Sequence, residues 1–507
     1  MAAVGDTDNS LHVSLQQRRA IGEGGQDEEE AISIEEENEE ASGNALKDLL
    51  DPPWADSPVF LLDLFFVLFL GVVMGLLSKP YSWIADEPEL SWFTKTGPDK
   101  FLKDPATMQF CSGAPIWIPL CAAGGLAVGI LKVMVGLDAY PSFITELKHM
   151  HVDPRVSWKV LVCCIASLAT GATLGLEAGL GATGSALGYL TYIFMCKAFP
   201  GINADREQSE LRRKMLVLCG IAAAFGSILP APYVAAILVG EVSSAGTEQQ
   251  AQPGEFLTAR RLPRKVVVYL VPASTAAFVV RRALDDAFDH PSEVNRNPLP
   301  VYHNSAAVWA LFLGVLAALV GLIFLLAQAV SKVLMTKLGV FVERRIGRAA
   351  RQILLCAIAG AVTGLGMYMF PLVFSSGRSM MGTTMKNRDH LSVGLLTGTA
   401  IAKCFTFSLG MSGGLVGGMF FPLMYVGLVS GEVVGKLGID GLDPAWVDPV
   451  MMGAVPASFL TAPLTMLALP VSMFTMGPLH SIAVFVGIVT SSTILVGTGF
   501  LHKLLKS

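Results

Sequence analysis

Charge is scarce in this sequence. Of 507 residues only 15% are Asp, Glu, Lys or Arg, while 52% are hydrophobic; soluble domains carry roughly a quarter charged residues. The mean hydropathy of +0.56 excludes an ordinary water-solvated surface and points to a bilayer as the solvent. The eight cysteines include no CxxC pair, which removes the zinc frameworks and redox motifs built on that spacing, and no disulfide scaffold of a secreted protein is visible. Six of them, Cys121, Cys163, Cys164, Cys219, Cys356 and Cys404, fall inside apolar runs, where cysteine acts as a small core residue. The eight histidines show no HExxH or paired metal spacing, and His149 and His151 read as solvated loop residues near Pro154. No nucleotide-binding loop and no basic nucleic-acid patch is present. Neither a metal nor another cofactor is expected.

No apolar stretch follows Met1, so a cleaved signal peptide is not expected. Residues 1–51 instead carry 14 acidic and 3 basic side chains, a net −11 that leaves +6 for the rest. Segment 1–55, with acidic clusters at Glu28–Glu30 and Glu35–Glu40, reads as a disordered, solvated cytoplasmic tail or a regulatory one, because it cannot bury enough apolar surface to fold alone.

Apolar runs begin at 59–77 and recur near 115–137, 158–174, 179–195, 215–229, 231–243, 265–280, 305–330, 353–374, 392–409, 416–437, 449–476 and 481–499. A straight span needs about 20 apolar residues, and several runs are shorter. Pro230, Pro232, Pro422, Pro456, Pro463 and Pro470 fall at membrane depth, where freed backbone groups must be satisfied by protein or a wet cavity. Broken, partial-span helices are how transporters aim helix ends at a midplane site. Basic clusters at Arg155 and Lys159, Arg212 to Lys214, Arg260 to Lys265 and Arg344 to Arg351 place those loops in the cytoplasm, and acidic 285–290 outside. No soluble domain is expected after the last run.

An internal echo divides the chain into a first transmembrane half, 56–290, and a second, 291–507. In each, a Gly-rich helix start (175–179; 417–422) precedes an Ala-Pro helix start (231–233; 462–465), the pattern of an inverted repeat.

Chemistry concentrates in residues 413–427, GGLVGGMFFPLMYVG. Glycines allow close backbone approach, and a helix beginning after them aims unpaired N–H groups at one point, an anion site without a full positive side chain. GxxxG packing through Gly427, Gly431 and Gly435 is the structural alternative. This stretch resembles the GGxxGGxFxPxxxxG motif of the CLC chloride channel and transporter family. Residues 175–184 are similar to that family's GxEGPxxxxG segment, 215–243 to its AAxFxAPxxGxxFxxE segment and 452–473 to its RAPLT segment; Lys403, Thr406 and Gly410 resemble many eukaryotic members. The resemblance runs from about 58 to 500 and implies an all-α polytopic fold of inverted repeats and broken helices, a homodimer, and passage of chloride or another small anion. It assigns the gate to Glu177, a carboxylate that competes as a tethered anion for the same N–H groups; an ionisable residue inside a membrane segment is a functional candidate in any case. The anion-binding set it implies is Gly175, Ala178, Gly179, Gly418, Met419, Phe420, Phe421 and Asp138.

The departures from the family pattern bear on mechanism. The proton-relaying glutamate of exchangers corresponds to Val242, preceded by Glu241; Glu177 and Glu241 are then the proton-path candidates. The family's anion-contacting serine corresponds to Asp138 in Leu137-Asp-Ala-Tyr-Pro141, while Cys111-Ser-Gly-Ala-Pro115, closer by letters, lies too far upstream. The Gly-Pro of GxEGP is Ala178-Gly179, and no tyrosine follows Tyr425. Channel-like conduction is therefore the first expectation and proton-coupled antiport the alternative. A non-transporting relative stays open through Asp138. Gly410-Met-Ser412-Gly-Gly414 also matches the serine hydrolase pattern GxSxG, but an intramembrane hydrolase would need a histidine such as His390 or His480 within reach. An enzyme is not expected.

Overall fold

The computed structural model describes residues 58–96, 109–138, 153–200, 206–248, 264–287, 305–460 and 462–497. The acidic tail, His149, His151, Arg260 and Arg261 lie outside these. The chain divides into Met1–Asp63 and Leu64–Ser507. Of the first unit only residues 58–63 are described, as the start of a helix; every other described residue belongs to the second.

Fifteen α-helices are present among the described residues: α1 (Pro58–Thr96), α2 (Trp117–Val135), α3 (Pro154–Ala169), α4 (Glu177–Ala198), α5 (Arg206–Gly226), α6 (Pro232–Glu248), α7 (Arg264–Ala287), α8 (Ser305–Ile346), α9 (Arg348–Met369), α10 (Arg378–Lys386), α11 (Val393–Gly413), α12 (Phe420–Gly435), α13 (Pro444–Ala457), α14 (Pro463–Met473) and α15 (Pro478–Ser492). Six of them contain segments long and apolar enough to cross a bilayer, and α6, α12 and α14 are shorter apolar helices. Proline sets many of the starts: Pro154, Pro232, Pro444, Pro463 and Pro478 each open a helix, a position where the missing N–H costs nothing. Pro456 and Pro470 instead lie inside α13 and α14. The long run at 449–476 is two helices, with Ala462 and Pro463 starting the second.

Packing repeats along the chain. In the first part α3 packs on α4, α4 on α5, and α5 on both α6 and α7; in the second α11 packs on α12, α12 on α13, and α13 on α14 and α15. The fold is the inverted-repeat, broken-helix architecture expected. Glycine sets how close the helices come. A Cβ at Gly184 would run into the Gly220 carbonyl, and one at Gly188 into that of Leu216, so α4 and α5 cross with backbones in contact. Gly125 and Gly360 do the same for α2 and α9. Small residues permit such approach where lipid offers no hydrophobic drive. The six cysteines of the apolar runs are buried and form no disulfide.

At one end of α12, Glu432 is 1% exposed and Asp448 on α13 is fully buried. Both face Arg388, at 3.2 and 3.1 Å.

Candidate functional site

The site forms where two extended loops meet. Gly175, just before α4, and Gly418, just before α12, exchange backbone hydrogen bonds as an antiparallel bridge. Gly175 N–H donates to Gly418 C=O at 2.7 Å, and Gly418 N–H to Gly175 C=O at 2.6 Å. A Cβ on either glycine would overlap the Glu177 carboxyl group, so both must be glycine for the acid to lie where it does.

Glu177 is the first residue of α4 and is fully buried. Its Oε1 accepts the Phe421 N–H at 2.7 Å, an orphan donor at the start of α12. Its Oε2 is buried against Gly175 and Gly418 with no hydrogen-bond partner among the described residues. The carboxylate thus sits on a helix N-terminus, where any anion would be favoured. Met419 caps α12 through its backbone, and Phe420 and Phe421 are its first two residues, buried and edge to face. Ala178 and Gly179 are buried in the first turn of α4. Seven of the eight residues of the expected anion set therefore gather around Glu177.

The supporting groups are less local. The Tyr81 hydroxyl of α1 donates to the Leu176 carbonyl at 3.0 Å, and a Cβ at Gly179 would strike it. The buried Ser167 hydroxyl of α3 accepts the Val416 N–H at 3.0 Å. Lys132 of α2 donates to the Gly414 carbonyl at 2.7 Å, and Gly414 closes α11 at φ +97°, where other residues would be strained. Residues 414–421 are so held at four points. Arg378, first residue of α10, places its guanidinium 5.6 Å from the centre of the Phe421 ring. Lys403 is fully buried and donates to the carbonyls of Val373, at 2.8 Å, and of Ser375, which fixes the turn before α10. Tyr81, Ser167, Lys132 and Arg378 were not singled out from the sequence. Only an ionisable residue inside an apolar run, as at Lys132, could have signalled one of them.

Among the described residues, cavities are found beside both ends of residues 413–421. One, of about 140 Å³, is lined by Phe421, Arg378, Arg281, Arg282 and Asp285 among others. The second, of about 280 Å³, is lined by Gly413, Gly414, Ser412, Lys132 and residues 348–356 of α9.

Asp138 lines the second cavity rather than touching Glu177. Its carboxylate pairs with Arg348 at 2.8 Å and accepts from Gln352 at 2.9 Å. Glu241 is also elsewhere. Its two oxygens accept the Leu464 N–H (2.7 Å), the Thr465 N–H (2.8 Å) and the Thr465 hydroxyl (2.7 Å), capping the start of α14; Val242 beside it is buried. Cys111-Ser-Gly-Ala-Pro115 packs at the end of α9, Cys111 N–H donating to Met369 C=O. Ser412 lies in the last turn of α11, not on a strand-to-helix turn, and His390 precedes that 21-residue helix, roughly 30 Å away at 1.5 Å per residue. No group of three or more metal ligands exists among the described residues.

Comparison with known proteins agrees with this geometry. No curated protein matches the chain in sequence. Similar solved structures include a slow cyanobacterial Cl−/H+ antiporter (16% identical, TM-score 0.64, 86% of this chain against 95% of that one). A eukaryotic CLC transporter is 15% identical with a TM-score of 0.61, over 88% of this chain and 73% of that one. A CLC-type fluoride/proton antiporter is 16% identical with a TM-score of 0.60, over 86% and 97%. At these identities the likeness concerns the fold. Residues 124–495, the stretch that holds Glu177 and the glycine bridge, match the family described as voltage gated chloride channel, and this multi-pass integral membrane protein belongs to that family.

Proposed function

We propose that the protein passes small anions, chloride first among them, across a membrane along residues 413–421, with Glu177 as the gate. The observation that carries this reading is the Glu177 carboxylate bound to the Phe421 N–H at the start of α12. A carboxylate there occupies the position of a permeating anion. Protonation or competition by an anion releases it, and the N–H groups are then free for the ion. Among the described residues no cation pairs with Glu177 directly, which keeps binding weak enough for the ion to leave.

Passive conduction is our first reading. Val242 cannot carry a proton, and Glu241 is committed to three hydrogen bonds at α14. The second reading, proton-coupled anion exchange, is favoured by the antiporters with the same fold and by Glu177 itself. Following the family resemblance, we place the protein as a homodimer with one path per subunit. The anion-binding roles of Gly175, Ala178, Gly179, Gly418, Met419, Phe420 and Phe421 belong to this proposal, as does the division at residues 290 and 291.

Reconstituted proteoliposomes under a chloride gradient, with a pH electrode outside, test it. Chloride flux without proton movement supports conduction. Uphill proton movement in fixed ratio to chloride replaces conduction with exchange. No flux of chloride, nitrate or fluoride refutes anion passage.

A further inference from the structure

The acidic pair at the end of α12 is one charge out of balance. Glu432, in the last turn of α12, is 1% exposed, and Asp448 of α13 is fully buried. One cation serves both. Arg388, in the short turn between α10 and α11, reaches Glu432 Oε1 at 3.2 Å and Asp448 Oδ2 at 3.1 Å through the same nitrogen, Nη2. The two carboxyl groups face each other within hydrogen-bonding reach, and Asp448 Oδ1 lies where a Cβ on Gly431 would meet it. Glu432 Oε2 and Asp448 Oδ1 are buried without a hydrogen bond among the described residues. Ionised carboxylates only accept, so two anions cannot satisfy each other. Beside one guanidinium they also leave a net negative charge inside the protein, which is costly unless it is neutralised. The neighbouring groups do not supply the missing charge. Lys436 is outweighed by Asp389 and Asp443, and Tyr425 shares its hydroxyl with Thr384. Lys403 of α11 is bound to the carbonyls of Val373 and Ser375. α8 has no charged residue before Lys332, α14 has none, and α15 has only His480 as an ionisable group.

We propose that Glu432 and Asp448 form a proton-binding site: they hold one proton between them, and that proton, with Arg388, clamps the end of α12 to α13. The proton makes one carboxyl a donor to the other, so a single O–H···O bond satisfies two oxygens and the three side chains reach neutrality. Two carboxylates at one buried site repel each other too strongly for both to stay ionised. Neither α12 nor α13 is among the six helices long and apolar enough to cross a bilayer. Exposed residues 437–441 follow Glu432 by about one turn, and the Arg388 side chain is 22% exposed, so water reaches the cluster past the guanidinium. The site lies at the opposite end of α12 from Met419 to Phe421, and it stands whether or not anions pass there.

Infrared spectroscopy and unfolding of the full chain in detergent test it together. The difference spectrum of wild type minus Glu432→Gln at neutral pH should contain the C=O stretch of a protonated carboxylic acid, shifted in heavy water. Glu432→Gln and Asp448→Asn each put a permanent N–H donor where the proton sits, so both should fold. The folded pair keeps a proton that the unfolded chain, with carboxylates in their ordinary range of about 4, has released. Wild-type stability therefore falls as the pH rises above that range, until the folded pair lets its proton go. Over that span the unfolding constant of wild type should rise about tenfold per pH unit relative to either variant. A difference spectrum without the acid band, or parallel pH dependence of wild type and variants, would overturn the proposal. So would failure of both amides to fold, which would show that two ionised acids are required. Wild-type melting that rises with sodium or potassium at constant ionic strength, and no longer does so in Glu432→Gln, would assign the missing charge to a bound metal cation instead. None of these readouts is chloride flux, so this site and the anion path fail independently.

Discussion

Glu177 sits where a hydrogen-bonding acid can be replaced by its neutral isostere with little change of shape. Glu177→Gln keeps an acceptor for the Phe421 N–H but removes the tethered charge. Wild-type flux should rise as the pH falls toward the ordinary glutamate range of about 4.3, since protonation neutralises the competing carboxylate; the glutamine variant should be open and flat with pH. Steep pH dependence surviving in the variant would move the gate elsewhere. Gly418→Ala is a sharper geometric probe, because its methyl would overlap the carboxylate. It should displace the acid from the N–H and raise flux at neutral pH, as read in the same liposomes. Glu241 carries a different expectation. Its carboxylate caps α14, so Glu241→Ala should lower stability by about 1–2 kcal/mol on thermal melting in detergent and leave the pH dependence of flux unchanged. At this scale the sequence was readable where chemistry and spacing are local. The glycines, Glu177 and the Met419 to Phe421 helix start are compact motifs whose residue types follow from backbone approach and helix polarity. Tyr81, Ser167 and Lys132 act across 95, 249 and 282 positions of the chain, and no periodicity or spacing encodes such contacts.

Helices carry the site by holding their ends still. α4 and α5 touch backbone to backbone at Gly184 and Gly220, so Gly220→Val should force them apart, and the loss should be seen as aggregation on size-exclusion chromatography rather than as altered selectivity. The Arg388 group ties α12 to α13, and removing the cation leaves two buried carboxylates facing each other. Arg388→Met should cost about 3–5 kcal/mol, measured by thermal melting, while leaving residues 175–177 unaffected. Element type was legible because long apolar runs with proline starts have few alternatives in lipid. Element length was not. The run starting at 59 ends its apolar part near 77, yet α1 is 39 residues long, roughly 58 Å at 1.5 Å per residue, nearly twice the hydrocarbon thickness of about 30 Å. Polar residues extend a helix beyond the apolar layer as readily as they end it, and apolarity alone does not mark the difference. The same ambiguity merged α13 and α14 into one run, although Ala462-Pro463 between them was visible as a helix start.

For the molecule as a whole, the repeated packing order of α3–α7 and α11–α15 brings two loops distant in sequence into one bridge at Gly175 and Gly418. The two cavities then lie at either side of one short segment, one edged by Arg281, Arg282 and Arg378 and the other floored by Lys132. If these cavities are the two mouths of the proposed path, their unneutralised cations would raise the local anion concentration without filling the centre. The basic run at 344–351 would put the Lys132 cavity on the cytoplasmic side by the charge rule for loops. A homodimer should elute from light-scattering chromatography in detergent at twice 53.8 kDa of protein; a monomeric mass at working concentrations would remove the dimer from the account. The central claim is that Glu177 is the anion that the permeating ion replaces. The most direct test is chloride efflux from proteoliposomes at neutral pH for wild type, Glu177→Gln and Glu177→Ala, measured side by side. The account predicts faster efflux in both variants, by about tenfold if the carboxylate's hold on the N–H is worth roughly 1.4 kcal/mol. Efflux that is unchanged or slower in both, from variants of wild-type stability, would contradict it.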